Sequence, residues 1–443
     1  MKSIRITRYA IISLLMISFY IPGNAHEDPM KYGPSRVELK KTDGRYRLFV
    51  NGEEFWVKGA GCEFGPCDLV ALYGGNSIRT WRVNNGINSG REVLDQAWEN
   101  GLMVMMGLDI AGERHGFDYD DEAAVARQLK NIKKDVMELK DHPALLGWGI
   151  GNELNHRYTN MRVWDAVNDI ARMIREVDGN SVVTTMLAGF APDDVKYIKD
   201  NCPYLDFLSV QMYADIINLE QRLEEAGYDG PYLVTEWGAT GHWEMPATEW
   251  GSPIEQSSAE KADMIRLRYE KAILSDKTNC LGSYVFLWGQ KQERTPTWYG
   301  LFTEEGEKTE AVNVMEYLWT GKWPEQMAPR LLDAEIKDKG GRFDNVKLKE
   351  DVLYSAFIEV ENSGNKNINA LNARAEILPE PTELSDGGDF EERPGSIDGL
   401  IISAAPHEVI FQSPVQKGAY RLFIYVSDDN SNTGTINIPF LIP

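Results

Sequence analysis

The amino-acid sequence predicts a (β/α)8 TIM barrel followed by an immunoglobulin-like β-sandwich. Apolar residues make up 43% of the 443 residues, enough for a folded core throughout. Between about residues 55 and 318, eight short apolar runs alternate with helical patterns, as in a parallel barrel. From residue 330 onward apolar residues recur at every second position, which is typical of the strands of a sandwich.

The first 25 residues have the pattern of a cleaved secretory signal. Lys2, Arg5 and Arg8 precede the apolar run Ala10 to Ile21, and Gly23-Asn24-Ala25 supplies a small-x-small ending. The run is well short of the roughly 20 residues that a membrane span needs, and no cysteine follows it that could carry a lipid. We therefore expect an exported protein, periplasmic or secreted, with no stable membrane insertion after cleavage.

A strand pair and then eight barrel strands are predicted. Val37 to Val50 alternates between apolar and polar residues, with Asp43-Gly44 as a hairpin turn. The barrel strands are expected at Phe55 to Gly61, Asn76 to Trp81, Leu102 to Asp109, Leu145 to Glu153, Ser181 to Met186, Asp206 to Tyr213, Tyr232 to Trp237 and Gly282 to Trp288. The clearest amphipathic helices are Asp121 to Lys140, Met161 to Val177, Leu219 to Ala226, Ser258 to Ser275 and Lys308 to Leu318. A doubly wound open sheet is the alternative, but no strand is followed by G-x-G-x-x-G or a phosphate loop, and eight strands favour closure.

Lys322 to Arg330 contains two prolines and is predicted to be a linker. The chain is thereby divided into a signal peptide (residues 1–25), a barrel (26–325) and a β-sandwich (326–443). The loop from Pro379 to Asp398 is acidic and rich in Gly and Pro, and we expect it to be mobile. Two roles are open for the sandwich: glycan binding and support of the barrel.

The charge of the chain limits its partners. The formal net charge is −22 and the pI about 4.8, and such a surface repels nucleic acid and anionic lipid. An uncharged or cationic substrate is easier to accept than a polyanion, although the acidity could serve solubility alone. The six histidines are scattered and neither C-x-x-C nor H-x-x-x-H occurs, so no metal and no cofactor is predicted.

Four cysteines in an exported chain permit three fully paired disulfide connectivities, and the sequence does not choose among them. Cys62 and Cys67 are close together at the end of the first barrel strand, whereas Cys202 and Cys280 each precede a later strand. One disulfide and four free thiols are both compatible with this spacing.

Two predicted strands carry a glutamate in an aromatic and glycine-rich setting. G-W-G-I-G-N-E ends at Glu153, and Y-L-V-T-E-W-G contains Glu236. A barrel gathers the C-terminal ends of its strands around one cleft, and glycoside hydrolysis requires two carboxyl groups about the scissile bond. We therefore predict Glu153 and Glu236 as catalytic residues, although a single strand-end glutamate is equally often a salt-bridge partner.

Further residues at strand ends are predicted to bind the substrate: Arg79, Trp81, Asn152, Tyr213, Trp237 and Trp288. Arg79 and Tyr213 would keep Glu236 ionised as the nucleophile, and the nearby charge would raise the pKa of Glu153, which acts as acid and then base.

Four of these residues have further interpretations. Asn152 would hydrogen-bond the sugar 2-hydroxyl, and Trp288 would form the floor under the sugar ring. For Trp81 and Trp237, core packing is the alternative.

Several other residues have two interpretations each, or a structural one. Asp109 is either a site residue or a helix cap, His156 lies either in the cleft or on the surface, and His142-Pro143 has the composition of a turn. A set of aromatic residues follows the last two strands, and it suits either several sugar subsites in an open cleft or the packing of long loops. These residues are Trp243, Trp250, Trp298 and Tyr299.

These motifs resemble those of a known enzyme group. H-P-A-L-L-G-W-G-I-G-N-E, ending at Glu153, resembles the acid/base motif of the clan A retaining glycoside hydrolases, notably the family 2 barrel, and L-V-T-E-W-G around Glu236 resembles the nucleophile motif. N-S-I-R-T-W is similar to the strand-two arginine motif, Tyr213 to the strand-six tyrosine and Trp288 to the strand-eight tryptophan. The resemblance spans residues 36 to 322 and implies a retaining glycosidase.

The domain layout departs from family 2, because the sandwich domains that usually precede that barrel are missing and one immunoglobulin-like domain follows it. This layout is similar to glycoside hydrolase family 158, which implies a β-glucan substrate and endo-β-1,3-glucanase activity. An endo-β-mannanase or another clan A β-glycanase, such as a β-galactosidase-like enzyme, is the alternative within the same class.

Two other classes of protein fit less well. A non-catalytic glycan-binding protein would keep the aromatic residues but lose a carboxylate. A protease or esterase is disfavoured because no G-x-S-x-G or Ser-His-Asp arrangement falls on the strand ends. The sequence makes no prediction about oligomeric state.

Overall fold

The computed structural model describes residues 29–361 and 370–443. The predicted signal, residues 1–25, lies outside the described residues. Within these two ranges, no helix has both the length and the apolar character that crossing a membrane requires.

The hairpin that precedes the barrel forms as predicted. Strands β1 (Val37–Thr42) and β2 (Arg45–Val50) pair antiparallel, and Asp43 and Gly44 both have positive φ, at 50° and 78°, as a two-residue type I′ turn requires. Strand β3 (Glu53–Phe55) completes a three-stranded sheet. Val37 and Leu48 pack against residues at the beginnings of the barrel strands, so this sheet covers the N-terminal end of the barrel.

Eight parallel strands close into a barrel, which confirms the predicted fold class. They are β4 (Val57–Gly61), β5 (Ser77–Arg79), β6 (Met103–Leu108), β7 (Leu145–Asn152), β8 (Val182–Ala188), β9 (Phe207–Gln211), β10 (Tyr232–Gly238) and β11 (Cys280–Phe286). Every predicted barrel strand is present, and the strands follow chain order around the barrel. The last strand ends at Phe286, two residues before the predicted end, and this difference changes the position of Trp288.

Helices surround the barrel and cover its outer face. They are α1 (Leu69–Leu72), α2 (Gly90–Glu99), α3 (Glu122–Leu139), α4 (Arg162–Val177), α5 (Pro192–Asn201), α6 (Leu219–Glu225), α7 (Ser258–Arg268) and α8 (Glu310–Thr320). Helix α7 continues into a π-helix at Tyr269–Ile273, so the long helix predicted there has two geometries. The largest apolar core lies between these helices and the strands.

The C-terminal part is a two-layer β-sandwich, as predicted. Its strands are β12 (Arg330–Ile336), β13 (Gly340–Gly341), β14 (Val346–Lys347), β15 (Leu353–Glu361), β16 (Asn372–Pro379), β17 (Ile401–Ala405), β18 (Glu408–Gln412), β19 (Gly418–Ser427) and β20 (Thr433–Ile442). One sheet has the order β13-β12-β15-β18-β17 and the other β14-β20-β19-β16. Their facing sides enclose a separate apolar core that includes Phe411, Leu422 and Phe440.

The sandwich is attached to the barrel through buried polar contacts. The buried Glu255 carboxylate pairs with Lys261 and accepts a 2.6 Å hydrogen bond from Asn437 Nδ2 on β20. Arg421 on β19 donates from Nη2 to the carbonyl oxygen of Pro253 at 2.9 Å. Because separating the two domains would remove hydrogen bonds from the buried Glu255 and Arg421 side chains, these contacts stabilise the position of the sandwich against the barrel.

The four cysteines form one disulfide and two buried free thiols. Cys62 and Cys67 are bonded, and Cys202 and Cys280 are free. Burial raises the pKa of both free thiols to about 12, so neither is a reactive thiolate at neutral pH.

Candidate active site

Glu236 is surrounded by hydrogen-bond donors. Its Oε1 accepts from Arg79 Nη1 at 2.6 Å, from Trp81 Nε1 at 2.8 Å and from Gln211 Nε2 at 3.0 Å. Within the described residues, its Oε2 accepts one hydrogen bond, from the Tyr213 hydroxyl at 3.1 Å. The four neighbours hold an anionic carboxylate in a single orientation, with Oε2 the less constrained oxygen.

Arg79 connects Glu236 to Asn152. The arginine is fully buried at the end of β5, and its Nη2 donates to Asn152 Oδ1. Gln211 Nε2 donates to the same oxygen at 2.8 Å. Because Oδ1 serves two donors, the Asn152 amide is fixed with its Nδ2 donor available to a ligand in the cleft.

Glu153 lies one residue beyond the end of β7, where the backbone turns sharply. Its φ is 52°, a left-handed conformation that costs about 1 kcal/mol or more for a residue other than glycine. The Glu153 amide donates to the Met186 carbonyl oxygen at 3.0 Å, which holds this turn in place. Within residues 29–361 and 370–443, no hydrogen bond to the Glu153 carboxyl group is found, and the residue borders the same cleft as Glu236.

The electrostatic environments of the two glutamates differ. Burial, and next the charge of Glu236, raise the pKa of Glu153 to about 8, while Arg114 and Arg79 oppose this shift. This shift favours the protonated form of Glu153 at neutral pH. Burial and the Glu236 charge also raise the pKa of Tyr213 well above its ordinary value, so its phenol keeps the proton that it donates to Glu236.

Phe286, the last residue of β11, occupies the position expected for Trp288. Its ring borders the cleft and makes edge-to-face contacts with Trp81 at 5.8 Å and Tyr213 at 6.2 Å. Trp288 borders the cleft as well, but its indole is fully buried against Phe302 and Trp319. A fully buried indole does not suit the predicted role of a floor under the sugar ring, and the strand that was expected to end at Trp288 ends two residues earlier, at Phe286.

Trp237 is also misplaced by the sequence prediction. Neighbouring residues of a strand point to opposite faces, and Glu236 faces the cleft. Trp237 consequently faces the helices, where it is fully buried and packs against Tyr269 at 5.6 Å. Core packing is thus its role, whereas Trp81 keeps its predicted place, with the Arg79 guanidinium over its ring at 4.8 Å.

The aromatic residues on the loops divide into two groups. Trp243 is 60% exposed, borders the cleft and contacts the Tyr213 ring edge-to-face at 5.5 Å. Trp298 and Tyr299 are buried next to Phe286, which corresponds to the alternative of loop packing. Trp250 is half-buried.

Some residues of the cleft were left open or missed by the sequence prediction. Asp109 and His156 both border the cleft. His142 is not among the residues that border the cleft; its Nδ1 accepts a hydrogen bond from the Ala144 amide at 3.1 Å in the expected turn. Gln211 was missed, although a glutamine ending an otherwise apolar strand is a usable signal. The segment 387–391, on a loop of the sandwich, was missed entirely.

The cations of the cleft all have acidic partners. The cleft has a volume of about 870 Å³, in the upper part of the roughly 300–1,000 Å³ range of small-molecule sites. Among the described residues that border it, every arginine and lysine forms an ion pair with a carboxylate. The pairs are Arg82–Glu63 at 3.0 Å, Arg114–Asp389 at 3.0 Å, Lys291–Glu293 at 2.8 Å and Arg393–Glu376 at 2.8 Å. This arrangement favours a neutral polar ligand over an anionic one.

A metal site is not evident in the described part of the chain, where no group of three or more His, Cys, Asp or Glu side chains is placed to hold an ion.

Comparison with known proteins identifies the fold. No protein-family model matches the sequence, and no curated protein matches it. Among solved structures, the β-D-glucuronidase for Dictyoglomus thermophilum has a TM-score of 0.50 and 17% identity, covering 66% of this chain and 54% of that one. A GH2 β-galacturonidase from Eisenbergiella tayi has a TM-score of 0.49 and 18% identity, covering 66% and 54%. A putative β-galactosidase from Bacteroides fragilis has a TM-score of 0.46 and 13% identity, covering 91% and 57%.

This chain spans about half the length of these solved structures. At such low identity, the likeness to the Dictyoglomus thermophilum structure shows that the fold is shared, and it shows no more than that.

Proposed function

We propose that this protein is a retaining glycoside hydrolase that cleaves β-glucan within the chain, as an endo-β-1,3-glucanase. The observation that carries the proposal is the asymmetry of the two glutamates. Glu236 is a carboxylate anchored by four donors, whereas Glu153, which borders the same cleft, has a pKa raised by burial. A nucleophile and a general acid need these opposite environments.

The geometry supports a double displacement. Glu236 Oε2 attacks the anomeric carbon, while Glu153 gives its proton to the departing glycosidic oxygen, so the C–O bond breaks as the ester bond forms. Glu153, now ionised, then removes a proton from water, and the resulting hydroxide attacks the anomeric carbon and releases Glu236. The Asn152 Nδ2 donor supports the sugar 2-hydroxyl as positive charge develops on the ring.

The charge of the cleft supports a neutral sugar. A substrate that carries a carboxylate, such as a uronide, would need a cation to receive it. The cations that border the cleft in the described chain are already paired with carboxylates. Glucuronidase activity, which the name of one structural neighbour states for that protein, is therefore disfavoured here.

The proposal of an internal cut on β-glucan rests on two further arguments. Trp243 and Phe64 are both exposed aromatic residues that border the cleft, and aromatic surfaces beyond the reacting sugar suit a substrate of several units. The β-1,3 linkage is supported by the resemblance of the domain layout to glycoside hydrolase family 158.

A polysaccharide panel tests the proposal. Laminarin, mixed-linkage glucan, mannan and galactan are incubated with the wild type, Glu153→Gln and Glu236→Gln, and the products are sized by chromatography. A ladder of oligosaccharides from laminarin, absent with both variants, supports the endo-β-1,3-glucanase. Cleavage of mannan or galactan instead would assign another β-glycanase, and binding of a glycan without any cleavage would assign a glycan-binding protein.

A further inference from the structure

The loop between β16 and β17 crosses from the sandwich to the mouth of the barrel. We call residues 380–400 the bridging loop. At one end, Asp386 pairs with His156 Nε2 at 3.2 Å and Arg157 Nε at 2.9 Å, just after β7. At the other end, Glu391 pairs with Arg294 Nη1 at 2.8 Å, after β11. Strands β7 and β11 have three strands between them in either direction around the barrel, so the loop spans the mouth.

The middle of the bridging loop is held as firmly as its ends. Arg114 Nη1 donates to the Asp386 carbonyl oxygen at 2.9 Å and pairs with Asp389 at 3.0 Å. Lys291 Nζ donates to the Gly388 carbonyl oxygen at 2.6 Å. The Glu391 carboxylate is buried and also accepts the Arg294 amide at 2.7 Å. The expectation that this loop would be mobile is thus not met in its central part, which is fixed to the barrel.

Phe390 lies between the two anchored residues Asp389 and Glu391. Its side chain borders the cleft and is 89% exposed. Exposed apolar residues are common on protein surfaces, and Leu384 on the same loop is 58% exposed without bordering the cleft. Phe390 differs because its backbone is fixed on both sides, so an aromatic face is presented to the cleft by a rigid support.

The reacting sugar does not require this ring. The space beside Glu236 is already bounded by Trp81, Tyr213 and Phe286, which all come from the barrel. An aromatic face supplied by the second domain therefore suits a different sugar unit of the same chain, whose apolar ring face can stack on it.

We propose that the bridging loop is a substrate-binding element supplied by the sandwich, in which Phe390 stacks on a glucan unit other than the unit attacked by Glu236. This inference deepens the proposed function and rests on it for the identity of the sugar. It assigns the sandwich a direct part in chain recognition in addition to support of the barrel.

Binding measurements with a cleavage-deficient protein test this inference. Affinities for laminari-oligosaccharides of two to six units are measured by calorimetry with Glu236→Gln, alone and combined with Phe390→Ala, Phe390→Tyr or Leu384→Ala. We expect Phe390→Ala to weaken binding of the longer oligosaccharides about 10-fold, which corresponds to the loss of an aromatic contact of about 1.4 kcal/mol. Phe390→Tyr should restore the affinity, and Leu384→Ala should leave it unchanged.

The outcomes separate this inference from the proposed function. Equal affinities with and without Phe390→Ala would overturn the inference, and a wild type that still cleaves laminarin would leave the proposed function standing. A dependence on Phe390 without cleavage by the wild type would support the inference and overturn the enzymatic proposal. No binding and no cleavage of laminari-oligosaccharides would overturn both.

Discussion

Arg79 Nη1 donates to Glu236 Oε1 across 2.6 Å, and no part of the arginine side chain is exposed to water. The same guanidinium reaches Asn152 through Nη2. One buried cation therefore sets the position of both the carboxylate and the amide. The two groups that would act on the anomeric carbon and on its neighbouring hydroxyl are thereby coupled.

Arg79→Lys is expected to lower kcat/KM strongly although it preserves the charge. A lysine ammonium cannot contact Glu236 and Asn152 at once in the planar geometry of a guanidinium, and a weakened buried pair costs roughly 3 kcal/mol. Laminarin hydrolysis should fall at least about 100-fold. Arg36→Lys, at an exposed pair with Glu38, is the control and should leave activity unchanged. Equal activity of Arg79→Lys and wild type would contradict the assigned role.

Substrates with different leaving groups should separate the roles of Glu153 and Glu236, when Glu153→Gln is compared with Glu236→Gln. With a natural glucan, loss of the acid should lower the rate roughly 100- to 10,000-fold. With a dinitrophenyl β-glucoside, whose leaving group needs no proton, formation of the glycosyl-enzyme should be nearly unaffected, and a burst of dinitrophenolate should appear in stopped flow. Glu236→Gln should show no burst. A burst from Glu236→Gln and none from Glu153→Gln would reverse the assignment.

The raised pKa of Glu153 predicts the alkaline limit of activity. The general acid must be protonated, so kcat/KM should fall as the pH rises through about 8. With the dinitrophenyl substrate, the rate of the first chemical step, which forms the glycosyl-enzyme, should show no such fall. A profile whose alkaline limb is the same for both substrates would show that another group titrates.

The same shift links Glu153 to stability. A carboxyl group whose pKa is higher in the folded than in the unfolded state contributes stability below the unfolded value, and this contribution is lost as the pH rises toward about 8. Glu153→Gln should therefore gain stability relative to wild type between about pH 5 and 8, with little difference at pH 4. Urea unfolding at several pH values measures the gain, and a constant difference would contradict it.

Trp288 and Trp237 should affect stability without affecting substrate binding. Both indoles are fully buried, although Trp288 also borders the cleft, and truncation of a buried tryptophan to alanine costs roughly 3–5 kcal/mol. Urea unfolding should show this loss for either variant, while KM of the folded protein stays close to that of wild type. Phe286→Ala should raise KM instead. A raised KM for Trp288→Ala alone would restore the original prediction of a sugar platform.

The sequence predicted the barrel and the central carboxylates for a physical reason. In a parallel barrel the strand ends converge, so a polar residue that follows an apolar run is placed at the cleft even when its partners are distant in the chain. Glu153, Glu236 and Arg79 satisfy this condition. That these three residues lie close together could therefore be inferred from the order of the strands.

The other parts of the site could not be predicted, because their positions are not indicated by the residues next to them in the sequence. Trp288 was misplaced because a shift of two residues in the end of β11 changes which aromatic residue faces the cleft, and Trp237 because its face depends on alternation within the strand. The bridging loop could not be predicted, since its contacts with Arg114 and Arg294 join segments far apart in sequence through the packing of two domains.

Covalent trapping of the intermediate tests whether Glu236 is the nucleophile. The wild type is incubated with 2,4-dinitrophenyl 2-deoxy-2-fluoro-β-laminaribioside, whose fluorine slows the release of a glycosyl-enzyme, and the peptides are analysed by mass spectrometry. We expect loss of activity and one disaccharide bound to the peptide that contains Glu236. A sugar attached to Glu153, or hydrolysis that gives the inverted anomer without any adduct, would contradict it.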